Sequence, residues 1–288
     1  MVFSYLQRLP IKPLTIGCLL FLFIYSSWIL HAYDRLLGGI AIVVFYSFFD
    51  VLWTYARNRA WYVPLSSWIS GLILALIGAP SGGVFGILAI SFVAVFSKHV
   101  IHYGALRHIF NPAAFSLAAL AFLGSLHPTL NIFALTWWGI AWIHISNPLG
   151  GAMLWIIVFI GSFILWRLRR FHVALSFLIF YETALVIIRG LAAGFSWDIG
   201  WVLSQHILDS TLIFFVSIML IEPITSSFPL RRHRIFYGAS VATFAGILTH
   251  SASTAAGVWF LWLDPLIGGL LLGNLVASIS FLPRRMVL

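Results

Sequence analysis

Long apolar runs follow one another along almost the whole chain, and this pattern limits the folds that the chain can adopt. Hydrophobic residues make up 62% and charged residues 8% of the 288 positions, and the mean hydropathy is +1.05. A soluble domain carries about 25% charged residues, because its surface needs polar cover. The sequence therefore predicts an all-α polytopic membrane protein, since the runs approach the ~20-residue length of a membrane-spanning helix.

About ten candidate spans result when the apolar runs are cut at charged residues and at Gly- or Pro-rich breaks. They cover 13–31, 36–55, 66–80, 83–98, 112–126, 151–166, 173–190, 206–221, 235–250 and 259–281. Several are shorter than a full crossing. We expect these short spans to be tilted, broken or partly buried by their neighbours.

Residues 1–288 are interpreted as a single membrane domain with two halves, about 13–126 and about 151–281. The segment between them, 127–150, contains Trp137, Trp138 and Trp142 but no Lys, Arg, Asp or Glu. Indole rings prefer the membrane–water interface. This segment is therefore predicted to lie along the membrane surface.

The basic residues indicate the orientation of the chain. If the N-terminus is cytoplasmic, every one of the 16 Lys and Arg residues except Arg35 and Arg189 falls on the cytoplasmic side. The positive-inside rule describes this asymmetry for short loops. We expect both termini to be cytoplasmic, and the net charge of +9 to reflect topology in a lipid bilayer rather than binding to nucleic acid.

Ten spans can be divided into two halves of five. Because five is an odd number, the second half begins on the opposite side of the membrane from the first and has the inverted topology. The pattern predicts an inverted repeat of five plus five spans. Segments 106–120 and 232–246 share a basic residue, Ile-Phe and then small residues. They would lie in spans five and nine, however, which such an inversion does not make equivalent.

Three segments of the chain contain motifs with Gly or Pro residues. They read SSWISGLILAL at 66–76, FSKHVIHYGALRHIFNPAAFSLAAL at 96–120 and MLIEPITSSFPLRRHRIFYGA at 219–239. Together they resemble the NqrB/RnfD membrane family, which comprises the B subunit of the sodium-pumping NADH:quinone oxidoreductase and the D subunit of the Rnf electron-transport complex. The resemblance extends over roughly 37–280. This chain has Ser97 before Lys98, where the family has Gly, and Glu222-Pro223 in place of Asp-Pro.

The resemblance implies a flavin-binding subunit of a membrane oxidoreductase in the bacterial cytoplasmic membrane. Its partners would be other membrane subunits and subunits with flavin and iron–sulfur centres. The family's covalent FMN motif, Asp-x-x-Ser-Gly-Ala-Thr, is missing from 127–150, and Ser-Ala-Ser-Thr at 251–254 lies in a different loop. We therefore expect any FMN or riboflavin to be bound non-covalently.

The single cysteine, Cys18, excludes a disulfide framework and cysteine-ligated zinc or iron–sulfur sites in this chain. The ten His residues form no facing pairs deep in two spans, so haem is not expected. No metal ligands are assigned.

Two Pro-containing breaks give the candidate cofactor site. Pro112 suits the first turn of a helix, and Asn111 can cap that helix. Pro223 breaks regular structure beside Glu222, just after span eight, and the hydroxyls of Thr225 and Ser226 follow. Broken helices in two halves often mark a central site. Lys98 joins the predicted site as a cation that could approach a phosphate or a quinone edge.

The alternative for these breaks is that both are ordinary capped turns at the cytoplasmic ends of spans. Lys98 would then be a cation extending from its helix end towards water. If the breaks form one site, the two turns must lie close together.

Glu182 and Asp50 are acidic residues inside predicted spans. An ionised carboxylate at mid-membrane costs on the order of 2.5–3.5 kcal/mol on insertion scales, so Glu182 is a candidate for an ion pathway. The alternative is a neutral Glu182 hydrogen-bonded to a neighbouring helix. Asp50 is expected to form an ion pair with Arg57 at the cytoplasmic end of its span.

Two classes of function remain open. One is a redox membrane subunit that binds flavin and helps to couple electron transfer to cation movement. The other is a small-solute channel or transporter, because an inverted-repeat helical bundle with broken helices also suits solute permeation.

Overall fold

The computed structural model describes residues 10–29, 31–80, 82–103, 107–127, 134–136, 152–193, 209–226, 228, 230–254 and 263–281. Its helices are α1 (Ile11–Ile29), α2 (Tyr33–Asn58), α3 (Leu65–Ile77), α4 (Gly83–Val100), α5 (Pro112–Leu126), α6 (Ala152–Leu168), α7 (Phe171–Ala193), α8 (Ser210–Phe214), α9 (Arg231–Thr254) and α10 (Pro265–Phe281). A π-helical turn, Phe215–Met219, continues α8. Each predicted span overlaps one of these helices. Spans eight and ten begin outside the described residues.

The helices are those of a multi-pass, all-α membrane protein. By length and composition, α1, α2, α4 and the first part of α7 can cross a membrane, and α3, α5, α6, α8 and α10 are shorter apolar helices. Large apolar side chains such as Phe85, Phe159 and Ile279 are at least 75% exposed. This outer surface suits contact with lipid rather than water.

Four short strands form two antiparallel ladders. Strand β1 (Gly78–Pro80) pairs with β4 (Ala134–Thr136), and β2 (His102–Tyr103) pairs with β3 (Arg107–His108). The second ladder closes the connection between α4 and α5. Apart from His127 and β4, the segment predicted to lie along the membrane surface, 127–150, falls outside the described residues.

Helix α5 begins as its sequence predicts. Asn111 is extended, and its side-chain oxygen accepts a hydrogen bond from the backbone N–H of Ala114 at 3.1 Å, with Pro112 in the first turn. The side chain satisfies one of the free N–H groups of the helix end, and proline needs none. The predicted cap is confirmed.

Helix α10 begins with the same chemistry. Asp264 precedes Pro265, and its Oδ1 accepts hydrogen bonds from the N–H groups of Leu266 at 2.9 Å and Ile267 at 3.2 Å. Helices α5 and α10 pack against each other. The fifth and tenth helices therefore share an Asx-Pro start and a common interface.

Small residues bring α9 and α10 close together. A Cβ atom at Gly269 would lie 2.7 Å from the backbone N of Ala245. Tyr237 also donates a hydrogen bond to Oδ1 of the buried Asn274 at 2.7 Å. Close packing of small residues with an interhelical hydrogen bond is typical of helices in lipid.

Contacts between helix ends collect at one end of the bundle. The contacting pairs are Asp50 with Lys98, His108 with Glu222, Arg170 with Ser226, and His233 with Phe281. From α2 to α10, even-numbered helices end and odd-numbered helices begin there. We call this the basic end, defined by Lys98, Arg170 and Arg234.

Candidate functional site

The turn after α8 presents Glu222 to the segment that enters α5. Glu222 Oε1 lies 3.1 Å from Nε2 of His108. The Thr225 hydroxyl donates to Glu222 Oε2 at 3.3 Å. The side chains of His108 and Glu222 are 6% and 14% exposed. An acid and a base from distant parts of the chain thus form a nearly buried pair.

Neighbouring groups fix the backbone of this turn. The Ser226 hydroxyl donates to the carbonyl of Glu222 at 2.7 Å, and the Arg170 guanidinium donates to the carbonyl of Ser226. Nε of Arg234 donates to the carbonyl of Phe228 at 2.6 Å. Arginines from two other helix ends therefore satisfy carbonyls that the break leaves outside a helix.

The two Pro-containing breaks approach each other, and His108 makes the contact between them. Asn111, three residues after His108, is 2% exposed and caps α5. Pro112 is buried and Pro223 is exposed. The site predicted from the sequence did not include His108. The available signal was its position three residues before Asn111. A buried imidazole there requires a polar partner, and Glu222 is that partner.

A second ionisable cluster surrounds Asp50, which is completely buried. Lys98 Nζ lies 2.9 Å from Asp50 Oδ2 and donates to the hydroxyls of Ser66 and Ser67 at 3.1 and 3.2 Å. Nε2 of His99 lies 2.6 Å from Oδ1. This cluster joins the end of α2, the start of α3 and the end of α4.

The prediction of an ion pair between Asp50 and Arg57 is wrong. Arg57 lies seven residues further along α2, about 10 Å along the helix axis. Lys98 on the adjacent helix is the cation that contacts Asp50. Lys98 is thereby held by a carboxylate and two hydroxyls, rather than directed at a phosphate or a quinone.

Tyr62, in the connection between α2 and α3, completes this cluster. Its hydroxyl donates to Asp50 Oδ2, as does the Ser67 hydroxyl. Burial, and then the hydrogen bond to Asp50, raises the pKa of Tyr62 to about 12. The phenol therefore stays neutral and acts as a donor throughout the physiological pH range.

Glu182 lies apart from both clusters. It is eleven residues into α7, about 16 Å along the axis from the helix start. Its side chain is half-buried, and among the described residues neither carboxylate oxygen has a hydrogen-bond partner. The neighbouring Tyr181 hydroxyl lies 3.4 Å from the hydroxyl of Thr249 on α9. In the described part of the chain, nothing supports the alternative of a hydrogen-bonded neutral Glu182.

The predicted flavin contacts fit a flavin poorly, because other bonds already engage their polar atoms. Asn111 Oδ1 caps α5, Lys98 contacts Asp50, and both oxygens of Glu222 have partners. Thr225 donates to Glu222 and is buried. A flavin ring that used the same atoms would compete with these bonds. The geometry suits a small ion or a proton better.

A scan against models of known protein families gave no match, and neither did a comparison with curated proteins. The family resemblance therefore rests on the three motifs and on their order along the chain.

Proposed function

We propose that this chain is a membrane subunit of an Rnf/Nqr-like electron-transport system, in which the His108–Glu222 pair holds a coupling proton or cation. The observation that carries the proposal is the 3.1 Å contact between these two side chains. It brings together the Asn-Pro and Glu-Pro motifs on which the family resemblance depends.

The chemistry of the pair suits reversible proton or cation binding. A carboxylate that is nearly buried is costly unless a cation or hydrogen bonds compensate its charge. Imidazole can take up and release a proton, and the carboxylate beside it can bind a proton or a small cation. A proton or a small cation that arrives at Glu222 can therefore replace the interaction with His108.

The architecture that we propose has ten membrane crossings in an inverted repeat of five plus five. The matching Asx-Pro starts of α5 and α10 and their mutual packing support this arrangement. The positive-inside rule places the basic end, and with it both termini, in the cytoplasm of a bacterial cell. His108 and Glu222 would then receive ions from the cytoplasmic side.

Flavin, as FMN or riboflavin, and the iron–sulfur centres of partner subunits would supply the redox chemistry. Because the predicted contacts around Glu222 are already engaged, we assign no flavin to them. Glu182 is proposed as a second point on the ion path, since its carboxylate lies mid-helix without a partner among the described residues.

The alternative is a small-solute channel or transporter. It is supported by the two shorter apolar helices, α5 and α10, that pack against each other and that both begin with an Asx-Pro cap. This arrangement could line a permeation path without any redox partner.

Affinity isolation of the tagged full chain from its native membranes in mild detergent separates the two functions. Co-isolation of other membrane subunits, with flavin absorbance near 450 nm and iron–sulfur absorbance, is the result expected for an electron-transport subunit. A colourless chain that isolates alone, and makes proteoliposomes permeable to small solutes, would overturn this proposal and favour the channel.

The role of the His108–Glu222 pair is tested after the isolated complex has been reconstituted into lipid vesicles. Glu222→Gln should uncouple electron transfer from cation or proton movement, and Glu222→Asp should retain part of the coupling. Lys12→Gln, a change at an exposed helix position, is the control and should have no effect. Full coupling in Glu222→Gln vesicles would exclude the pair from the ion path.

A further inference from the structure

The turn between α6 and α7 borders an open cavity that the proposed function does not use. The cavity has a volume of about 540 Å³, and it is lined by Trp166, Arg167, Arg169, Phe171 and His172. Its wall combines positive charge with aromatic rings. This composition suits an anionic ligand that also has an apolar part.

The backbone of this turn directs an arginine outward. Arg169 has φ of 55°, in the left-handed region. The N–H groups of Arg169 and Arg170 donate to the carbonyls of Trp166 at 3.2 Å and Leu165 at 3.0 Å. These bonds form a helix C-terminal motif that usually has glycine at the left-handed position. Here that position carries an exposed arginine.

A second arginine group lies beside the cavity at the start of α9. The charges of Arg231, Arg234 and Arg170 all act on His172. Segments 166–172 and 230–234 together contain six Arg and two His residues but no Asp or Glu. Cations on neighbouring segments repel one another, and a bound anion lowers that repulsion. The arginine fork matches the geometry of phosphate oxygens.

His172 adds an unused polar group to the cavity wall. Its Nε2 is buried and, among the described residues, has no hydrogen-bond partner. A buried polar atom without a partner is costly and requires an explanation. An oxygen of a ligand in the cavity would provide that partner once the imidazole ring turns Nε2 towards the cavity, since this atom has almost no exposed surface.

The surroundings of the cavity indicate which phosphate-bearing molecule it takes. Phe159 on α6 and Leu175 on α7 are 75% and 58% exposed, so an apolar surface continues from the cavity along both helices. Trp166 and Phe171 lie at the boundary between that surface and the basic end, where aromatic residues mark the membrane interface. Basic pockets between helices at this level bind acidic lipid headgroups.

We propose that this cavity binds the phosphate of an anionic phospholipid, with Arg167 and Arg169 around the phosphate, His172 bonded to one of its oxygens, and the acyl chains along α6 and α7. The lipid would fix the α6–α7 turn, whose Arg170 supports the backbone beside Glu222. The site is independent of any electron-transport role.

The matched variants are Arg169→Gly and Arg59→Gly. Arg59 also has φ of 55° and ends a helix, α2, but it lies in a different turn. Because glycine suits the left-handed conformation, both changes remove one charge without straining the fold. Full-length protein in detergent is titrated with phosphatidylglycerol, with phosphatidylcholine and with inorganic phosphate, and the thermal unfolding temperature is recorded.

Phosphatidylglycerol should raise the unfolding temperature, whereas phosphatidylcholine and inorganic phosphate should not. Arg169→Gly should weaken the phosphatidylglycerol effect about tenfold in apparent affinity, as expected for one charge-assisted contact, and Arg59→Gly should leave it unchanged. Arg167→Gln should act like Arg169→Gly. Equal effects of the two glycine variants, or an equal response to phosphatidylcholine, would overturn the site. A response to inorganic phosphate as strong as that to phosphatidylglycerol would overturn the lipid assignment.

Discussion

Removal of the Lys98 charge is expected to destabilise the protein through Asp50. Asp50 is completely buried, and Lys98 is the cation 2.9 Å from its Oδ2. Lys98→Met keeps most of the side-chain volume but leaves the carboxylate without this partner. Breaking a buried pair in this way costs about 3–5 kcal/mol. Because His99, Tyr62 and Ser67 still bond to Asp50, we expect a smaller loss of roughly 2–3 kcal/mol here, below the usual range for a stranded buried charge.

The reasoning is tested by a double-mutant cycle in the purified full chain. Unfolding by SDS is followed for Lys98→Met, for Asp50→Asn and for the double variant, with Lys12→Met as the control for a lysine change at an exposed position. The double variant should recover at least half of the stability lost in Lys98→Met, since the stranded charge is gone. If the losses simply add, or if Lys12→Met costs as much, the buried pair does not have the assigned role.

Three further changes follow from the geometry. Tyr62 has a pKa raised to about 12 from an unfolded value near 10, so its hydrogen bond to Asp50 should stabilise the protein fully below pH 10. Between pH 10 and 12 the unfolding temperature of wild type should therefore fall relative to that of Tyr62→Phe, which lacks the hydroxyl. Gly269→Val should destabilise by about 1–3 kcal/mol through overpacking against α9, whereas Gly38→Val, with open space around its Cβ position, should change little in the same SDS assay. Glu182→Gln should leave the unfolding temperature the same or higher, because an ionisable group without a partner is removed, and it should reduce cation-dependent activity in vesicles.

The helix positions could be predicted from the sequence because run length and hydrophobicity act locally. The start of α5 was predictable for the same reason, since Asn111 and Pro112 are adjacent in the chain and make a cap within one turn. The same local signal is present at Asp264 and Pro265. It supports the proposed pairing of α10 with α5, whereas the Ile-Phe similarity indicated the segment that forms α9.

The partners of the ionisable groups could not be predicted in the same way, because packing brings them together. Lys98 is 48 residues from Asp50, and Glu222 is 114 residues from His108. The choice of Arg57 for Asp50 followed from proximity in sequence. Helices α2 and α4 instead pack so that Lys98 meets the carboxylate. The π-helical turn before Glu222 also has no signature in the apolar pattern.

The central claim is that the two motif segments meet at His108 and Glu222, and chemical crosslinking tests it most directly. Cysteines are placed at both positions in a Cys18→Ser background, which has no other cysteine, and a protease site is inserted within 137–150. A short bifunctional thiol reagent is applied to intact membranes before cleavage. The control pair combines His108 with Ser251, which lies twenty residues along α9 from Arg231, about 30 Å from the basic end. The account predicts that the 108–222 pair keeps the two halves joined after cleavage and that the control pair does not. Separation of the halves in both cases would contradict it.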